Sequence, residues 1–170
     1  MDLSLGLLVM RVTIGLLFAA HAAQKAFGWW RGPGFAGWTN AVTNMGWHPA
    51  RPWAFLSILA ELGGGLLLTV GLLTPFATAV LVAQTTVIIE RVHLRNGFWN
   101  TAGGIEYPLT LGLGAAALYL AGPGALSLDR ALGWSFSLPI QIAALAVPLV
   151  GAGAALLWSS PARNQRPAHA

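Results

Sequence analysis

The sequence predicts an all-α integral membrane protein: a four-helix transmembrane bundle, a fifth C-terminal transmembrane helix, and an interfacial helix between the first two spans. Three observations predict it. Of 170 residues, 56% are hydrophobic and only 8% charged, with a mean hydropathy of +0.66; soluble domains carry about 25% charged residues. The apolar residues gather into long runs that lack the period-two alternation of a barrel strand. Gly, Pro and Trp punctuate the ends of those runs, as turns and interface anchors do.

A bilayer core takes about 20 mainly apolar residues per helix. Residues 3–27, 53–73, 76–94, 105–121 and 138–158 meet or approach that length. Residues 1–134 thus read as one bundle, 135–160 as the additional helix and 161–170 as a disordered tail. At the N-terminus, Asp2 stands where a leader would be basic and Arg11 interrupts the apolar run, which predicts a retained first span. Arg11 itself is expected to snorkel to headgroups, with Asp129 the one acid in matching position. His21, Gln24 and Lys25, at i, i+3 and i+4, share one face of this helix.

The stretch "RGPGFAGWTNAVTNMGWHPARPW" is too polar to span, but Phe35, Trp38, Val42 and Met45 recur at helical spacing. A helix lying in the interface has that pattern. Trp29, Trp30, Trp47, Trp53 and Trp99 read as an aromatic belt on the same side. In the second span, Glu61 lies eight residues past Trp53, about 12 Å deep at helical rise. A carboxylate there costs roughly 2.5–3.5 kcal/mol, so it faces a partner or a wet cavity. A structural pair with Lys25 is the plain alternative to a functional role.

Gly63, Gly64, Gly65 and Gly71, with Gly112 and Gly114 later, are small residues that let helices approach closely. "LLTPF" turns the chain into the third span, Pro75 favouring a helix start. That span ends in Glu90, Arg91, His93 and Arg95; "RNG" and "NTAGG" supply glycines for turns, and Glu106 and Tyr107 open the fourth span. For Lys25, Arg91 and Arg95, headgroup anchoring is the ordinary explanation.

With five spans, one side holds Lys25, Arg31, Arg51, Arg91, Arg95, Arg163 and Arg166, while Arg11 and Arg130 lie toward the other. The excess predicts a multi-pass cell-membrane protein with its N-terminus outside and C-terminus cytoplasmic. A sequence pI near 10.8 invites nucleic acid, but the net charge is only +4 and the basic residues are dispersed. No nucleic-acid partner is expected. The absence of cysteine removes thiolate metal sites and disulfide exchange by the chain itself.

The segments "HAAQKAFGW", "ELGGGLLLTVGLLT", "VHLRNGFW", "GGIEYPLTL" and "GPGALSLD", in that order, resemble the DoxX family of small bacterial and archaeal membrane proteins. The resemblance runs from about Leu7 to Leu132 and implies a four-helix bundle, from which the fifth span departs. His21, Lys25, Glu61, His93, Asn96, Gly97, Phe98, Glu106 and Tyr107 match the family motifs; Glu90 falls outside them. The family takes its name from a subunit associated with an archaeal terminal oxidase. Its relatives include the membrane subunit of thiosulfate:quinone oxidoreductase. The resemblance therefore implies a redox-complex subunit, working with a soluble redox protein or another membrane subunit.

The expected site is a quinone-sized pocket. The aromatic cluster Trp29, Trp30, Phe98 and Trp99 is expected to wall it, and His21, Lys25, Asn96, Phe98, Trp99 and Tyr107 to bind the ligand. Glu61, Glu106 and His93 are the expected proton relay. No flavin, haem or nicotinamide signature accompanies them, so electrons would come from a partner. Two other readings stand beside this one. The polar residues are structural, and the protein is a scaffold or small-solute carrier. Or His21, Glu61, Glu90, His93 and Glu106 hold a metal, with one Glu-x-x-His where di-iron bundles have two. Besides the bilayer and a redox partner, a second copy of the chain is a candidate partner.

Overall fold

A computed structural model of the protein describes residues 3–159. Among these residues all regular structure is helical: α1 (Leu3–Phe27), α2 (Gly34–Asn44), α3 (Ala50–Val70), α4 (Thr74–Ile88), α5 (Glu106–Ala121), α6 (Leu128–Ala131) and α7 (Leu138–Trp158). A π-helical turn, Ile89–His93, and a 3-10 turn, Leu94–Asn96, prolong α4. The disordered tail expected at 161–170 lies outside the described residues.

Leu3–Phe27, Ala50–Val70, Thr74–Asn96 and Leu138–Trp158 are long and apolar enough to cross a membrane. Helix α5 has 16 residues, about 24 Å of helix against a hydrocarbon core of about 30 Å. The expected fourth span is therefore the short one, and the C-terminal helix is full length. Boundaries follow local chemistry. Helix α1 stops at Gly28, whose φ of 74° is left-handed. Helix α3 ends three residues before the expected Leu73, because Gly71 turns left-handed (φ 67°) and Leu72 N–H closes back on Leu67 O at 2.9 Å. That glycine-centred closure satisfies carbonyls the helix end would strand.

Ile14, Phe18, Leu68, Leu81, Leu111 and Leu118 form the central core of α1, α3, α4 and α5. At the α1–α3 crossing, a Cβ on Gly15 would sit 2.5 Å from Gly65 O. The two backbones touch, as small residues in membrane helices allow. Gly64, Gly65, Gly112 and Gly114 make the expected close contacts, whereas a side chain at Gly63 would meet open space.

Helix α2 forms as its spacing predicts, but its apolar face covers the bundle. Val42 is fully buried, and Phe35, Trp38 and Met45 pack with Trp47, Trp53 and Ala54. Helix α7 is tied at both ends. Tyr119 OH donates to Gln141 O at 2.6 Å, while Trp47 Nε1 donates to Ala155 O at 3.0 Å. Arg91 Nη2 donates to Leu156 O and to Ser159. Arg91 thus caps the last turn of α7 instead of only anchoring to headgroups.

Arg11 does not snorkel. It is 0% exposed and donates to Leu126 O, with Asp129 nearby. Asp129 accepts the backbone N–H of Leu73 (2.7 Å) and Thr74 (2.9 Å), and its own N–H donates to Gly71 O at 2.9 Å. The α5–α6 loop therefore folds back onto the α3–α4 turn and encloses the guanidinium.

Candidate functional site

The polar site lies at the opposite end of the bundle from Arg11, where five elements meet. Lys25, near the end of α1, reaches across to Glu61 of α3 in a hydrogen-bonded ion pair. Both are shielded, the carboxylate being 1% exposed. Trp38 of α2 lies over the ammonium, with Nζ 4.3 Å from its ring centroid. A desolvated cation on an indole face is a favourable contact. Gln84 of α4 donates to Glu61 Oε1 at 3.2 Å and to Ser57 Oγ at 2.7 Å.

One carboxylate oxygen is thus engaged twice while Glu61 Oε2 is buried with no partner, as is Trp38 Nε1. Stranded buried polar atoms are uncommon in native proteins. Here both belong to residues lining one cavity of about 150 Å³, together with Phe18, His21, Lys25, His93 and Tyr107. His21 Nε2 lies 3.1 Å from Tyr107 OH, the two rings meeting edge to face. His93 Nδ1 is 2.7 Å from Gly103 O. A carbonyl only accepts, so in the neutral ring Nδ1 carries the proton and Nε2 remains an acceptor.

His21, Lys25, Glu61, His93 and Tyr107 are therefore assembled from four distant stretches. The other expected members stand elsewhere. Asn96 Nδ2 donates to Val92 O and Gly103 O, bracing its own loop. Glu106 Oε2 accepts the N–H of Asn100 at 2.9 Å, and Glu106 N–H donates to Phe98 O at 2.8 Å. The loop is hydrogen-bonded to itself, which holds Phe98 and Trp99 outward, 49% and 66% exposed. Trp29 and Trp30 are equally outside. The four aromatics expected as a wall thus do not line the cavity, whereas Trp38 and Phe18 do.

Glu90 turns away, 42% exposed and 2.8 Å from Arg91 Nε. With Glu90 and Glu106 turned outward, the alternative metal set does not assemble. Among the described residues no group of three or more His, Asp or Glu is placed to hold an ion.

Sequence reasoning missed Trp38 as a site residue, along with Gln84 and Ser57. Gln84 left a signal: an amide in the middle of an apolar span needs a partner across the bundle.

A multi-pass helical membrane protein with a shielded, partly unsatisfied polar cavity is the class these features define. The DoxX family model matches residues 6–94, more than half of the chain, and the protein belongs to the DoxX family. The match takes in His21, Lys25, Glu61 and His93 and stops before Glu106 and Tyr107. No curated protein and no solved structure matches the chain.

Proposed function

We propose that this DoxX protein is a membrane subunit of a redox complex and that its cavity holds the head of a quinone. The observation carrying this reading is the pair of stranded atoms, Glu61 Oε2 and Trp38 Nε1, on residues that line one cavity together with Lys25. A cavity of about 150 Å³ admits a benzene ring, so the space is of single-ring size. Lys25 Nζ and Trp38 Nε1 are donors for a ring carbonyl, and Phe18 and Trp38 offer apolar faces.

Reducing a quinone to a quinol consumes two electrons and two protons. The electrons would come from a partner redox protein. On the chain's side, Glu61 Oε2, His93 Nε2 and the His21–Tyr107 pair are the proton-handling groups within the cavity. Glu106 has no part in this version of the relay, because its carboxylate braces the loop.

The Lys25–Glu61 pair also favours a second reading, a structural network in a scaffold protein. Organic extraction and elemental analysis of the detergent-purified protein separate the two, run beside His21→Ala and Glu61→Gln. Quinone that co-purifies with wild type and is lost from both variants supports quinone binding. Quinone retained equally in the variants, or absent from all three, overturns it in favour of the network.

A further inference from the structure

A larger space adjoins the polar cavity. It measures about 430 Å³ and lies between α2, α3, α4 and α7, within the range of about 300–1,000 Å³ common for ligand sites. Trp38, Ile88 and Val92 line both spaces, so the two are direct neighbours with a shared wall.

The two spaces differ in chemistry. In the larger one Gln84 bonds Ser57 and Trp47 Nε1 bonds Ala155 O, while Trp38, shared with the polar cavity, keeps its Nε1 unpaired. Hydrocarbon makes up most of the wall of both, but Lys25, Glu61, His21 and His93 line the polar cavity, whereas no ionisable side chain lines this chamber. Helix α7 makes it hollow, presenting Pro148, Gly151, Ala152 and Ala155 on the face nearest α4. Larger side chains on that face would have closed it. On the far side of α7, Val147, Val150 and Leu157 are exposed, as on a lipid-facing surface.

We propose that this chamber receives the hydrocarbon tail of the ligand whose ring sits in the polar cavity. The ligand is then a long-tailed, bilayer-dissolved quinone, and α7 forms one wall of its tail site. This rests on the quinone-head reading and extends it. The shared wall of Trp38, Ile88 and Val92 is what assigns the occupant: a ring beside Lys25 and Glu61 has this apolar space next to it.

The test compares decylubiquinone with its tail-less parent, dimethoxymethylbenzoquinone. Binding is read by quenching of tryptophan fluorescence in the full-length protein in detergent. Ala152→Leu fills the chamber from α7, and Ala83→Leu fills it from α4. Partition into micelles is common to wild type and variants and cancels in their ratio. Overpacking an apolar site carries a cost equivalent to about tenfold or more in affinity. Both variants should weaken the tailed compound by that factor and leave the tail-less one within about twofold of wild type. As a check that needs no variant, decylubiquinone bearing a photoreactive tail end should label peptides within 80–88 and 148–155 of the wild-type chain.

An equal effect on both compounds, or on neither, overturns the tail site while leaving the head site standing, as does labelling confined to the outer face of α7. If the tail-less compound fails to bind wild type at all, the quinone-head reading falls and takes the tail site with it.

Discussion

Lys25 and Glu61 illustrate how a membrane interior values charge. Each is shielded by the bundle, so removing either strands the other in a low-dielectric setting. Breaking such a pair costs roughly 3–5 kcal/mol, whereas replacing both members together with apolar residues costs little or nothing. Lys25→Met and Glu61→Leu should each lower the melting temperature in detergent strongly, and the double variant should lie above either single one. Additive losses would mean that the two side chains act independently. Gly71 is critical for a different reason. Its φ of 67° is left-handed, and a Cβ there would collide with the Arg11 guanidinium and lie 2.6 Å from Ser127 Cβ. A left-handed non-glycine residue costs about 1–2 kcal/mol before any clash. Gly71→Ala should therefore abolish recovery of monodisperse protein on size-exclusion chromatography, while Gly63→Ala, which meets open space, should leave recovery unchanged.

At the level of elements, α7 is an addition held by a few specific contacts. Its final carbonyls are met by Trp47 and Arg91, which come from the segment before α3 and the turn after α4. A hydrogen bond to a charged group contributes about 1.5–3 kcal/mol, large beside the stability of one helix turn. Arg91→Gln should raise hydrogen exchange across 152–159 and leave residues near Gln141 protected, because Tyr119 still holds that end. Uniform protection in the variant would mean that packing against α4 alone orders the helix. Helix α2 carries a related lesson. Its amphipathic period was plain in the sequence, yet periodicity cannot distinguish a face turned to lipid from one turned to a neighbouring helix.

For the whole molecule, the charge asymmetry predicts that the polar-site end faces the cytoplasm. The chain has no cysteine, so single-cysteine labelling is clean. Ser135→Cys, before α7, should react with an impermeant maleimide on intact cells, and Thr101→Cys, before α5, only after lysis. The reverse pattern would invert the topology and put the polar-site end on the outer face. The positive charges on the site side include Lys25, which the fold uses to pair Glu61, and Arg91, which it uses to cap α7. Among the described residues Arg31, Arg51 and Arg95 make no hydrogen bond or ion pair of that kind, Arg51 lying instead over the Phe35 ring, and they still favour that side.

Helix content, the number of apolar runs, the amphipathic α2, family membership and the intramembrane placement of Glu61 were all legible in the sequence. These depend on local composition and spacing, which act residue by residue. The pairing of Lys25 with Glu61 was legible as well, since two opposite charges in adjoining spans have few other partners. What only the tertiary structure decided was the rotation of each helix about its axis and the path of each loop. Those come from many small contacts summed over the bundle, such as the Gly15–Gly65 crossing. They turned Glu90 outward, brought Trp38 over Lys25, locked Glu106 into its loop and enclosed Arg11. A hydropathy pattern records that a residue sits in a span; the packing of its neighbours determines what it faces.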